Sequence, residues 1–176
     1  MKRIIIIVFF LITLSVASEA QSIGITLGGG FFSGNSPDIS SFTSSIFLNS
    51  PPLFNDAFSL RLSFLYSADY NQLLPNSTNQ YNPSIKGINL KGIFTQEMLS
   101  AYYLDEGIGV LFLDDRIFSG IDATDYGIVI SFGAGVDMLK GSSHKVRIGA
   151  ETDYAFTFNN TYAKYFSIHL IGQYFF

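Results

Sequence analysis

Residues 145–156 read KVRIGAETDYAF. Taken alternately, Val146, Ile148, Ala150, Thr152, Tyr154 and Phe156 fall on one side, and Lys145, Arg147, Gly149, Glu151 and Asp153 on the other. That is the period of a β-strand. Four charges therefore share one face of one strand. In a soluble sandwich the apolar face would meet a core and the charges water. In a membrane barrel the apolar face would meet lipid and the charges a lumen. The rest of the chain decides between the two.

The same period recurs on both sides of this stretch. Tyr126, Ile128, Ile130, Phe132, Ala134, Val136 and Met138 oppose Gly127, Val129, Ser131, Gly133, Gly135 and Asp137. Phe58, Leu60, Leu62, Phe64 and Tyr66 oppose Ser59, Arg61, Ser63, Leu65 and Ser67, and Ile88, Leu90 and Phe94 oppose Asn89, Lys91, Thr95 and Glu97. Near the amino end Ile23, Ile25, Leu27 and Phe31 oppose Gly24, Thr26, Gly28 and Gly30, and at the other end Phe166, Ile168, Leu170, Tyr174 and Phe176 share a face. Two runs are weaker. Residues 102–114 alternate but put Glu106 on the apolar side, which is costly at mid-membrane. Residues 41–49, SFTSSIFLN, alternate faintly and are included because strand parity requires them.

The reading is eight strands, at 22–33, 41–49, 57–67, 85–97, 102–114, 125–139, 144–157 and 164–176. Short links at 50–56, 98–101 and 139–143 interleave with longer polar ones at 34–40, 68–84, 115–124 and 158–163. Short turns at one end and longer loops at the other are the plan of an outer-membrane barrel. Aromatics gather at strand ends on the apolar face, with Tyr66, Tyr126, Tyr154, Phe156 and Phe166 toward the loops and Phe58, Tyr174 and Phe176 toward the turns. That placement matches interfacial girdles. With no helix left to cover an apolar sheet face, the expected fold is all-β, an eight-stranded antiparallel up-and-down transmembrane β-barrel closed against exposed edges.

Met1-Lys2-Arg3, the apolar run 4–16 and the small residues around Ala17, Ser18 and Ala20 read as a secretory signal peptide. Residues 1–20 are expected to be cleaved and 21–176 to form the barrel domain, about the size of one domain. Loss of Lys2, Arg3 and Glu19 leaves eight basic and thirteen acidic residues, a formal charge of −5. A basic nucleic-acid surface is therefore not expected. Without cysteine the exported chain has neither a disulfide nor a thiol for lipidation.

The terminal Phe176, with Tyr174, Leu170 and Ile168 at alternate positions before it, resembles the carboxy-terminal sorting signal of bacterial outer-membrane barrels, which the barrel assembly machinery recognises; Gly172 departs from the pattern. The glycine-rich DYGIVISFGAGVDM, a short turn, VRIGAETDYAF, a loop and a final aromatic strand are similar to the PorT-like outer-membrane β-barrel family of Bacteroidota and related Gram-negative lineages, and to small OmpX-like and OmpA-like barrels. The resemblance spans the mature chain. It implies a fold and a cell outer-membrane address, with outer-membrane lipid and lipopolysaccharide as surroundings, and no shared catalytic residues.

On inward faces the alternation places Arg61, Lys91, Glu97, Asp105, Asp137, Lys145, Arg147, Glu151, Asp153 and His169. These are expected to form a structural charge network, because buried ions must be paired. A lipid A deacylase resembles a His-x-Ser signature with a later Glu, but His144 is followed by Val146 and His169 by Ile171. No catalytic residue, cofactor or metal ligand is assigned. Asp114, Asp115, Asp122 and Asp125 near one rim are read as a solvated acidic loop, with Ca²⁺ or Mg²⁺ binding as the weaker alternative. The loop ADYNQLLPNSTNQYNPS suits contact with a protein or glycan. The expected role is structural or interactive, in a monomer. Alternatives are an accessory of envelope secretion or assembly, a secreted soluble lipocalin-like barrel with an apolar ligand, and a lipid A-modifying enzyme.

Overall fold

Alternation of apolar and small or polar residues gives eight strands: β1 (Ser22–Ser33), β2 (Ile39–Asn49), β3 (Phe58–Asp69), β4 (Ser84–Met98), β5 (Tyr102–Arg116), β6 (Ala123–Met138), β7 (Lys145–Thr157) and β8 (Lys164–Phe175). A 3₁₀ turn at Tyr70–Leu73 follows β3. The computed structural model describes residues 21–34, 38–53, 57–73, 83–98, 101–116, 123–138 and 145–176. The expected signal segment 1–20, His144 and Asp122 lie outside the described residues. Among the described residues no helix is long and apolar enough to cross a membrane.

Every strand pairs antiparallel with its sequence neighbours, and β1 pairs with β8 to close the barrel. Following one hydrogen-bonded row around the wall fixes its geometry. The row runs Ser22, Asn49, Arg61, Lys91, Gly109, Val129, Ala155, Tyr165, and returns to β1 at Phe32. One circuit thus climbs from position 22 to position 32 of β1, a shear of ten residues. With a rise of about 3.3 Å and a strand spacing of about 4.8 Å, this shear tilts the strands by about 41°. The wall radius is then about 8 Å, which leaves room for side chains and no open channel.

Apolar side chains point out of this wall. Ile25, Ile46, Phe64, Ile108, Phe132, Ile148, Ile168 and Leu170 are all more than 45% exposed, and Leu170 reaches 72%. Such a surface is insoluble in water and suited to lipid. It ends at aromatics: Phe31, Phe42, Tyr66, Phe112, Tyr126, Phe156 and Phe166 at the loop end, and Phe58, Phe94, Tyr102, Tyr174 and Phe176 at the end where β1 starts and β8 finishes. Tyr102 and Phe112 are ten residues apart on β5. At about 2.5 Å of axial rise each, they bracket about 25 Å, the height of a barrel's apolar band. The soluble lipocalin-like alternative required these faces to turn inward, and they do not.

Candidate functional site: a closed lumen

The inner face has three levels. At the loop end Phe32, Leu65, Ile85, Leu111, Leu113, Val129, Ala155, Ala163 and Tyr165 pack into one apolar cluster, each at most 5% exposed. Their alternation with outward residues is what drew the period-two reading, but here the inward set is apolar too, because these positions plug the lumen. A plug of this kind removes water from the lumen at that level.

Below the plug lies an ion network whose members come from five strands. Arg61 Nη1 donates to Glu151 Oε2 at 2.6 Å, and its Nη2 lies 3.3 Å from Asp105 Oδ2. Lys91 Nζ donates to Glu151 Oε1 at 2.7 Å and to Asp153 Oδ1 at 3.0 Å. Asn49 Oδ1 accepts from Arg61 Nε at 2.9 Å, Thr95 Oγ1 donates to Asp105 Oδ1 at 2.7 Å, and the Arg61 guanidinium stacks 4.4 Å from the Phe47 ring centroid. Both cations thus meet anions on several sides. This is the condition under which buried ions persist.

A second, separate group sits at the terminal end. Asp137 accepts from Arg147 Nε at 2.6 Å and from Lys145 Nζ at 2.5 Å, and Arg147 packs 4.6 Å from the Tyr103 ring. Glu97, expected among the buried lumen charges, is corrected by its position: its side chain is 53% exposed at the rim and 3.6 Å from Lys145. It is the third residue past Phe94 on a strand that overruns the apolar band at this end. Lys145, Arg147 and Glu97 line a vestibule of about 570 Å³ with Asn49, Ser59 and Phe175.

His169 enters neither group as an ion-pair partner. It is buried beside Glu151 in register, yet neither ring nitrogen has a hydrogen-bond partner. Two residues earlier on the same face is Ser167, in register with Asp153. The His-x-Ser signature does not cover this order, in which Ser, His and two carboxylates share a wall. The Ser167 hydroxyl also has no partner, and both side chains are at most 2% exposed. Without a nucleophile–base hydrogen bond or access for a lipid ester, the arrangement lacks the features of an acyl-transfer site.

The remaining expected residues lie at the surface. Ile168, Leu170, Tyr174 and Phe176 all face outward on the closing strand, with Tyr174 and Phe176 rings 6.4 Å apart. The acidic rim divides: Asp114 faces out near Arg116, at 3.8 Å, whereas Asp115 and Asp125 turn inward and are buried. The β7–β8 connection folds over the mouth. Asn159 Oδ1 accepts from Tyr126 N at 2.9 Å, Asn159 and Asn160 donate to the Thr124 carbonyl, and Thr161 becomes buried.

The chain shares its fold with small outer-membrane barrels. It is similar to Neisserial surface protein A (NspA) at a TM-score of 0.60 and 12% identity, over 88% of this chain and 96% of that one. It is similar to Ail, the attachment invasion locus protein of Yersinia pestis, solved in complex with the heparin analogue sucrose octasulfate, at a TM-score of 0.53 and 14% identity, over 88% and 97%. No family model and no curated protein matches the sequence.

Proposed function

We propose that this chain is an integral outer-membrane protein of a Gram-negative envelope that acts through its loop-end surface, in envelope integrity or in contact with a protein or glycan, and not through transport or catalysis. The observation that carries this reading is the filled lumen: among the described residues an apolar plug lies over a paired ion network, with no open path and no reachable nucleophile inside the wall. What then differs between such barrels is the set of loops on a rigid wall, where recognition is commonly placed. The fold likeness to Ail, whose structure holds a heparin analogue, supports a contact role as an analogy of architecture. In this reading residues 1–20 direct export, the termini face the periplasm and the loops face outward.

The test has two parts. Purified protein in planar bilayers is expected to give no ohmic conductance above that of the bilayer, and cells with residues 74–82 replaced by a short Gly-Ser turn are expected to keep a folded, heat-modifiable barrel while losing surface contact. Steady conductance by the wild type sinks the closed-lumen reading. Unchanged contact after all four loop-end connections are shortened sinks the loop reading.

A further inference from the structure

The vestibule at the end where β1 starts and β8 finishes has a fixed guanidinium in its wall. Arg147 is 8% exposed, and among the described residues its one hydrogen bond runs from Nε to Asp137 Oδ1. Its Cζ lies 4.6 Å from the Tyr103 ring centroid and 5.1 Å from that of Phe175. Asp137 thus holds one edge of the group, and two rings hold its plane. Nη1 and Nη2 carry four of the five donors of the fork, and none of these meets an acceptor among the described residues. A charged donor group withdrawn from water and matched to a single oxygen is poised for a second acceptor.

Charge and shape point the same way. Asp137 accepts from Lys145 as well, so one buried carboxylate faces two cations. Glu97 is 3.6 Å from Lys145, but its side chain is more than half exposed, where water screens it. The local balance favours one further negative charge. A second charge on the same ligand would meet Glu97 at the mouth and Asp105 behind Thr95, whose hydroxyl donates to it at 2.7 Å, and would be repelled. The vestibule is blind, because Asn49 in its wall accepts from Arg61 and the ion network lies beyond. Its volume of about 570 Å³ falls in the range of small-ligand sites, with Ala57, Phe58 and Phe175 as apolar wall and Ser59 and Thr95 as hydroxyls.

We propose that this vestibule binds a small monocarboxylate with an apolar body, its carboxylate lying in the plane of Arg147 across Nη1 and Nη2. A planar fork matches the two oxygens of a carboxylate. Because the rings and Asp137 already hold that fork, little freedom is lost when a ligand engages it. The apolar body lies along Phe58 and Phe175. The inference depends neither on the loop-end role nor on which side of the membrane the vestibule faces.

The experiment uses the full barrel, refolded into phosphatidylcholine nanodiscs and titrated in a calorimeter at neutral pH, with empty nanodiscs as the blank. N-acetyl-phenylalaninate is expected to bind at about one molecule per chain with a dissociation constant on the order of 1 mM. Its uncharged amide is expected to bind about tenfold more weakly or less. Arg147→Lys keeps a positive charge beside Asp137 and removes the fork, so it is expected to weaken the acid about tenfold and leave the amide unchanged. No saturable binding of the acid by the wild type overturns the proposal, and so does equal affinity for acid and amide. Undiminished acid binding by a folded Arg147→Lys chain overturns it as well. Inorganic phosphate binding more tightly than the acid overturns the carboxylate assignment. If Arg147→Lys does not fold, the comparison of acid with amide in the wild type decides.

Discussion

Arg61 and Glu151 stand on β3 and β7, four strands apart in a ring of eight, yet Arg61 Nη1 lies 2.6 Å from Glu151 Oε2. The bond spans the lumen from wall to opposite wall. Both side chains are at most 3% exposed, so solvent does not screen it. Glu151→Ala leaves two buried cations short of an anion and is expected to cost about 3–5 kcal/mol. Arg61→Met combined with Glu151→Leu is expected to cost less than the two single changes added, by about 0.5–3 kcal/mol. Guanidinium unfolding in lipid vesicles measures both; strict additivity would mean that the pair does not act as a unit.

The β1–β8 seam supplies a contrast between two glycines. A Cβ on Gly28 would run into the Ile168 carbonyl oxygen and lie 2.7 Å from the His169 Cα, whereas a Cβ on Gly172 meets nothing within 4 Å. Gly28→Ala must push β8 away from β1 and is expected to cost about 1–3 kcal/mol. Gly172→Ala, on the lipid face, is expected to change stability by less than about 0.5 kcal/mol. The fraction of heat-modifiable, folded protein after refolding reads the difference, and equal yields for the two would contradict it.

The period of two was enough to find the strands, because lipid outside and packed side chains inside force alternation on every strand. β2 was the faintest for a physical reason. Its inward Thr43 and Ser45 bond to Ser67 and Thr26 at 2.9 and 2.7 Å, and its outward Ser40 and Ser44 break the apolar face, so both faces look alike. The partners inside the lumen were not legible. Arg61 meets Glu151 only because the wall is staggered by ten residues, a quantity set by eight registers at once. Glu97 looked inward by parity, but parity says nothing of height, and the strand carries it out to the rim. Parity did contain the separation of Asp114 from Asp115 that the acidic-loop reading overlooked. The fold of the β7–β8 connection had no signal, since its left-handed residues are Asn160 and Tyr162, not glycines.

Those two residues make a third prediction. Asn160 has φ 46° and Tyr162 φ 51°, a region that asparagine tolerates and most side chains disfavour by about 1–2 kcal/mol. Tyr162 is 57% exposed, so little packing offsets this. Tyr162→Asn is expected to stabilise by about 0.5–1 kcal/mol, and Tyr162→Val to destabilise by a similar amount. Denaturation midpoints in detergent measure both, and a loss on Tyr162→Asn would mean that the ring, not the backbone, holds the connection in place.

Glu106 is the residue that fits lipid worst. It faces outward on β5 in register with Phe94 and Phe132, four residues inside Tyr102 and so about 10 Å into the apolar band. Among the described residues it makes no hydrogen bond or ion pair. A lipid-facing Arg or Lys costs about 2–4 kcal/mol at the midplane and a carboxylate less, so Glu106→Leu is expected to stabilise the barrel by about 1 kcal/mol in vesicles. The gain should shrink in detergent, where water reaches the side chain more easily. If Glu106→Leu instead destabilises the barrel in the native membrane but not in vesicles, the carboxylate meets a donor from another membrane component there, since nothing within this wall provides one.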